Sequence, residues 1–184
     1  MRIPKKAKRV FEGVLFNVYH WQQKMFDETY ATFEMLERAP VADVIATVGE
    51  KIIVLMQQQP RKPLYPSLPG GRIDKGEKPI QAAARELLEE TGYRASRFIL
   101  MDTYHGAGKL YFPEYLYVAK DCKKVADQNL DGGEKIKVVL VNFDGFLQLC
   151  RNKDFAIAPP LRAAMYEALL ERKKWKVLRE KIFS

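Results

Sequence analysis

No apolar run in the 184-residue chain reaches the roughly 18 residues that a membrane-crossing helix needs, so no membrane partner is expected. The basic opening MRIPKKAKRV is followed by neither an apolar signal core nor a small-residue cleavage site, so it does not read as a secretory leader. Cysteine is scarce. Cys122 and Cys150 are the only two, far apart and outside any CxxC pattern, which predicts free thiols in a reduced, cytoplasmic setting. Repeats, low-complexity tracts and Pro/Ser-rich linkers are also missing. The expectation is one main domain over residues 41–184, preceded by an N-terminal β arm over residues 1–40.

What is present suits a soluble globular protein with a substantial core: 47% hydrophobic and 29% charged residues. Lys and Arg number 31 against 23 Asp and Glu, a net charge of +8. That excess points to an anionic partner, either nucleic acid or a phosphorylated small molecule. Much of it lies in RIPKKAKR and RKKWKVLREK at the two ends, where solvated faces are the default reading. No groove-reading motif accompanies it, so nucleic acid is not expected as a partner.

Residues 9–19 (RVFEGVLFNVY) alternate and are rich in Val, Phe and Tyr, which predicts a strand. WQQKMFDE then reads as a turn and TYATFEMLER as a second strand. ADVIATV and KIIVLMQQ flank Gly49-Glu50 as a hairpin. FILMDTYH, EYLYVAKD and KIKVVLVNF read as further strands. LRAAMYEALLERKKWKVLREKIF after Pro159-Pro160 reads as one terminal helix. The N-terminal strands are apolar on both faces, with Phe11, Leu15 and Tyr19 on one and Val10, Val14, Phe16 and Val18 on the other. Strands of that kind need a cover, which predicts a homodimer through residues 9–36. The competing arrangement folds them back beneath the terminal helix.

The chemistry concentrates in LPGGRIDKGEKPIQAAARELLEETGY, residues 68–93. Pro79 suits the first helical position and Gly92 the position just past the last turn, which predicts a helix over Pro79–Thr91. Glu86, Glu89 and Glu90 then fall within an arc of about 100° on one face, opposite Ala84, Leu87 and Leu88. Arg85 can pair with Glu89 but would leave the other two carboxylates unpaired. Like charges at these spacings weaken a helix, and become useful when a divalent cation sits between them. Gly70-Gly71 lets backbone approach an ion or phosphate, and Glu77 can brace the loop by pairing with Arg85. The fold class is α+β, mixed β-sheets sandwiched with helices.

Gly71, Glu77 and Arg85-Glu86-Leu87-Leu88-Glu89-Glu90-Thr91-Gly92-Tyr93, at their spacing, resemble a complete Nudix box, and the surrounding strands are similar to the Nudix fold. The resemblance implies a hydrolase that cleaves a diphosphate linked to another moiety, with Mg²⁺ (Mn²⁺ also possible) as cofactor. It implies Glu86 and Glu90 as main metal ligands, Glu89 as an assisting one, and the Gly70 carbonyl as a backbone ligand. Arg85, Glu90 and a general base on a distant loop complete the catalytic set. In NLDGGEKIKV the base is Glu134, with Asp131 as alternative. Gln58-Gln59-Pro60-Arg61 resembles the Gln-x-x-Arg stretch of the ADP-ribose and nucleoside diphosphate sugar branch. This implies substrate-binding roles for Arg61, Glu114 and Gly71. The chain departs from that branch in having His105-Gly106-Ala107-Gly108 in place of Ser-Pro-Gly, and LPGG in place of LPAG. Tyr111 resembles a tyrosine of dinucleoside polyphosphate hydrolases. The expected substrate is therefore a nucleoside diphosphate sugar. ADP-ribose or a dinucleoside polyphosphate is the alternative, and a catalytically silent nucleotide-sugar sensor is the alternative of another class.

Overall fold

The computed structural model describes residues 2–184. The N-terminal third forms strands β1 (Lys8–Glu12), β2 (Phe16–Lys24), β3 (Tyr30–Arg38), β4 (Val41–Val48), β5 (Lys51–Gln58), β6 (Tyr65–Ser67) and β7 (Gly70–Arg72). Helix α1 (Pro79–Thr91) follows, then β8 (Tyr93–Arg94), β9 (Arg97–His105), β10 (Leu110–Tyr111), β11 (Pro113–Lys120), β12 (Lys123–Lys124) and β13 (Lys135–Asn142). The chain closes with α2 (Phe143–Gln148), a 3₁₀ turn (Leu149–Arg151), α3 (Pro159–Leu170) and α4 (Arg172–Phe183).

The central sheet runs β13-β5-β4-β11-β9, with β6 added to β5 and β7 to β4. Its middle strands are largely apolar on both faces because both faces are covered. Side chains alternate across a strand. Val44, Ala46, Ile53 and Leu55 therefore pack with Ala82, Ala83 and Leu87 of α1. Ile45, Ile52 and Val54 pack on the other side with Phe146, Leu161, Met165, Leu178 and Ile182 of α2 to α4. Helices on both faces of a mixed sheet make the α+β sandwich that the sequence predicts. Leu87 has no exposed surface, and truncating such a residue to Ala costs about 2–5 kcal/mol.

Helix α1 begins and ends as its sequence predicts. Pro79 occupies its first turn, the Lys78 amide donates to Gln81 Oε1 at 3.0 Å, and Gly92 adopts φ 73° with its amide donating to the Leu88 carbonyl at 2.8 Å. The positive φ is why glycine stands there.

Four expectations are corrected. Residues 9–19 are two strands, because the chain reverses at Val14-Leu15, with the Gly13 amide donating to the Phe16 carbonyl at 2.9 Å. An apolar pair at a hairpin tip carries no turn signature. Trp21–Lys24 belongs to β2 rather than to a turn, and the reversal lies at Met25–Thr29, where Glu28 has φ 67°. The terminal helix is two helices, broken at Glu171 (φ −127°, ψ 119°), whose amide donates to the Glu167 carbonyl and whose carbonyl accepts from the Trp175 amide, both at 2.9 Å. A straight helix would carry Leu178 and Ile182 away from the sheet; the break returns them to the same core as Leu161 and Met165. KIKVVLVNF also ends one residue early as a strand, since Asn142 caps α2 by accepting from the Gly145 amide at 2.8 Å.

Strands β1, β2 and β3 form a separate sheet, joined at its edge by β10 lying parallel to β3. Helices α3 and α4 pack on the central sheet instead, and Val10, Phe11, Val14, Leu15 and Phe26 remain exposed.

Candidate active site

Strand β7 carries the glycine pair between β4 and α1, with Gly70 opposite Asp43 in the β4 ladder. Gly70 adopts φ 155°, and a Cβ there would run into the Asp43 side chain and the Ala42 carbonyl. A Cβ on Gly71 would stand 2.5 Å from Glu86 Oε1. The two glycines thus let α1 settle with its carboxylate face directly on the strand.

On that face, Glu90 is only 5% exposed and accepts the Gly70 N–H on Oε2 at 2.8 Å. Glu86 and Glu89 turn toward Arg85, whose Nη1 donates to Glu86 Oε1 at 2.8 Å and to Glu89 Oε2 at 3.0 Å. Arg85 Nε and Nη2 donate to Glu77 at 3.1 and 3.2 Å, and Nη2 also reaches the Arg72 carbonyl at 3.0 Å. The brace between Glu77 and Arg85 is as expected. The expectation that Arg85 leaves Glu86 unpaired is corrected, because the planar guanidinium reaches three carboxylates at once.

The balance of charge is still negative. Burial raises Glu86 and Glu90, Glu90 to about 9, and the carboxylates of Glu86, Glu134 and Asp43 push Glu90 further in the same direction against the Gly70 hydrogen bond. Glu134 sits on the loop before β13 and acts on both Glu86 and Glu90. Asp131 forms the turn that presents it, its carbonyl accepting the Glu134 amide at 2.9 Å.

Two grooves are lined by residues of this region. One, of about 290 Å³, is lined by Gln58, Pro60, Arg61, Gly133 and Glu134, so Arg61 and Glu134 face a common space. Arg61 is an exposed turn residue at φ 66°. The other, of about 430 Å³, is lined by Arg38, Asp43, Gln57, Ser67, Gly70 and Glu114. Glu114 is 8% exposed and pairs with Asp43, and burial raises both carboxyls. The Arg38 guanidinium lies 4.8 Å from the centroid of Phe112 and opposes that shift. Tyr65 borders the second groove and feels the charges of Glu134 and Glu90.

Gly70, Gly71, Glu77, Arg85, Glu86, Glu89, Glu90 and Glu134 are thus linked in one region, with Arg61 lining a groove beside Glu134 and Glu114 beside Asp43. Sequence reasoning missed Asp43, Arg38, Tyr65 and Gln57. Asp43 had a signal: it is the one charge inside ADVIATV, a strand otherwise apolar on both faces. The others come from β3, β5 and β6, and only the sheet register unites them.

The arrangement suits a cation. Burying carboxylates is costly unless they are paired or bind metal. Among the described residues no three Asp, Glu, His or Cys side chains form a cage by themselves.

Comparison with known proteins places this geometry. The NUDIX domain profile matches residues 37–163. The chain belongs to the Nudix family. It is 30% identical over 178 residues to the methanol dehydrogenase activator of Bacillus methanolicus, covering 93% of this chain and 95% of that one. It is 25% identical over 169 residues to the ADP-ribose pyrophosphatase of Bacillus subtilis (strain 168), covering 89% and 91%. A crystal structure of an ADP compounds hydrolase shares the fold, with a TM-score of 0.72 at 19% identity over 97% of this chain and 95% of that one. The chain is a Nudix pyrophosphohydrolase. Nudix hydrolases generally use divalent metal ions.

Proposed function

We propose that this Nudix chain hydrolyses the diphosphate bond of nucleoside diphosphate sugars with Mg²⁺ or Mn²⁺, giving a nucleoside monophosphate and a sugar phosphate. The observation that supports the reading is the gathering of Glu86, Glu90 and Asp43 at the Gly70-Gly71 strand with Glu134 acting on the first two, offset by Arg85 and Arg38. Glu86, Glu90, Glu89 and the Gly70 carbonyl would hold the ion. When bound, it would neutralise diphosphate charge and acidify a coordinated water.

The chain's own residues supply the rest. Arg85 fixes the rotamers of Glu86 and Glu89 and leaves Glu90 to the Gly70 amide. Glu134 acts as general base: it takes the proton of the water whose oxygen bonds to phosphorus as the bridging P–O bond breaks. Arg61, across the groove from Glu134, would clamp the diphosphate. The groove holding Arg38, Gln57 and Glu114 is large and polar enough for the sugar or nucleoside.

ADP-ribose is the first substrate to test among this class, since a relative covering most of the chain is an ADP-ribose pyrophosphatase. The sensor alternative has less support, because the full carboxylate set is present and arranged. The exposed apolar residues of β1 and β2 support a homodimer through the N-terminal arm. The two buried free thiols suit a cytoplasmic location. The test is product release from ADP-ribose and a panel of nucleoside diphosphate sugars with Mg²⁺ or Mn²⁺. Turnover of at least one is expected, and a panel with none would overturn the reading.

A further inference from the structure

The loop over residues 125–134 joins β12 to β13 and ends on Glu134. Its course is set by the C-terminal end of α1, where helix carbonyls lack intrahelical partners. The Glu89 carbonyl accepts the Asn129 amide at 2.8 Å, and the Gly92 carbonyl accepts the amides of Val125 and Ala126 at 2.9 and 3.2 Å. Gly92 permits the approach, since a Cβ there would collide with the Ala126 carbonyl. The remaining link is a side chain. Gln128 Nε2 donates to the Glu90 carbonyl at 2.5 Å and to the Ile136 carbonyl at 3.3 Å. One amide group thus joins the helix residue that carries a central carboxylate to the strand residue two positions beyond Glu134. Strand β13 is the outer strand of its sheet, bonded on one side to β5, so its outward carbonyls have no strand partner.

We propose that Gln128 is a positioning residue, which holds Glu134 at its working distance from Glu86 and Glu90 by pinning β13 to α1. The inference rests on the reading of Glu134 as the base, but the clamp itself is structural and separately measurable. Asn129 ties the near end of the 130–134 segment to α1, the β5 ladder holds its far end from Lys135 onward, and Gln128 ties that ladder to α1 through Ile136. Gln128 touches no groove residue that contacts substrate in the proposed function. Its loss should therefore act on kcat and leave KM nearly unchanged.

The test compares Gln128→Met, which keeps length without donors, with Gln128→Lys, which restores donors to both carbonyls. Gln128→Met should raise amide hydrogen exchange across residues 129–136. It should also lower kcat by about 10- to 100-fold, as expected for a catalytic group displaced by about 1 Å, with KM within about twofold. Gln128→Lys should recover most of the kcat. Unchanged exchange in Gln128→Met overturns the clamp, whatever the reaction proves to be. Raised exchange with unchanged kcat overturns the positioning role. If exchange rises and kcat falls but Glu134→Gln is itself as active as wild type, the clamp stands and the base assignment fails.

Discussion

Gly70 donates its backbone N–H to Glu90 Oε2 at 2.8 Å, joining two residues 20 positions apart and fixing a buried carboxylate against a strand with no side chain in the way. One hydrogen bond orients Glu90 without neutralising it. Burial and the neighbouring carboxylates favour its protonated form in the metal-free chain, and a bound cation would favour the carboxylate.

Glu90→Gln keeps the Gly70 hydrogen bond and loses the charge. Steady-state turnover should fall by about three orders of magnitude, in line with several kcal/mol of charge stabilisation lost at a metal site. Circular dichroism should be unchanged. Near-normal turnover would show that Glu90 has no part in the reaction.

The same residue gives a pH signature in EDTA. Glu90 is raised from 4.5 to about 9, by burial first and then by neighbouring carboxylates. Between those values the folded chain keeps a proton that the unfolded chain has released, so stability falls as pH rises through the window. Urea midpoints measured near about pH 5 and about pH 9 should drop for wild type and drop less for Glu90→Gln. Equal drops in the two proteins would contradict this account of the buried carboxylate.

Divalent metal should relieve that repulsion. Mg²⁺ or Mn²⁺ should raise the Tm of wild type and support turnover, and excess EDTA should abolish turnover while the chain stays folded. Binding only to the native state stabilises by mass action, so the Tm should climb with metal concentration. Full activity in metal-free buffer would remove the metal mechanism.

Gly71→Ala places a methyl 2.5 Å from Glu86 Oε1 and must displace that carboxylate. Metal affinity measured by calorimetry should weaken by about 10- to 100-fold, the scale seen when groups that orient a ligand are disturbed. An unchanged affinity would mean that Glu86 does not hold the ion.

Glu134→Gln should cut turnover and leave metal affinity intact, whereas Asp131→Asn should do little, because Glu134 raises both Glu86 and Glu90 and lines the groove with Arg61. The reverse result would move the base to Asp131. For the assembly, light scattering should give twice the 21.3 kDa chain mass, and removal of residues 1–36 should cost both assembly and activity. A monomer mass would sink the dimer.

Much of the site is legible in residues 68–93 because its rules are local. Pro79 and Gly92 bound α1, and helical spacing alone puts Glu86, Glu89 and Glu90 on one face. The apolar runs of β4 and β5 likewise announce strands buried on both faces. Local rules fail where the outcome depends on a distant surface. The hairpin at Val14-Leu15 lacks turn residues, and the break at Glu171 exists because the core offers Leu178 and Ile182 a place that a straight helix would miss. Arg85 reaches Glu86 as well as Glu89 only once β7 and the Glu77 loop close around it. Asp43, Arg38 and Gln128 come from three separate segments and meet α1 through sheet register and the packing of one loop on a helix end. Short-range chemistry is written along the chain, whereas the hydrogen bonds that tie the loop before Glu134 to the end of α1 exist only after folding.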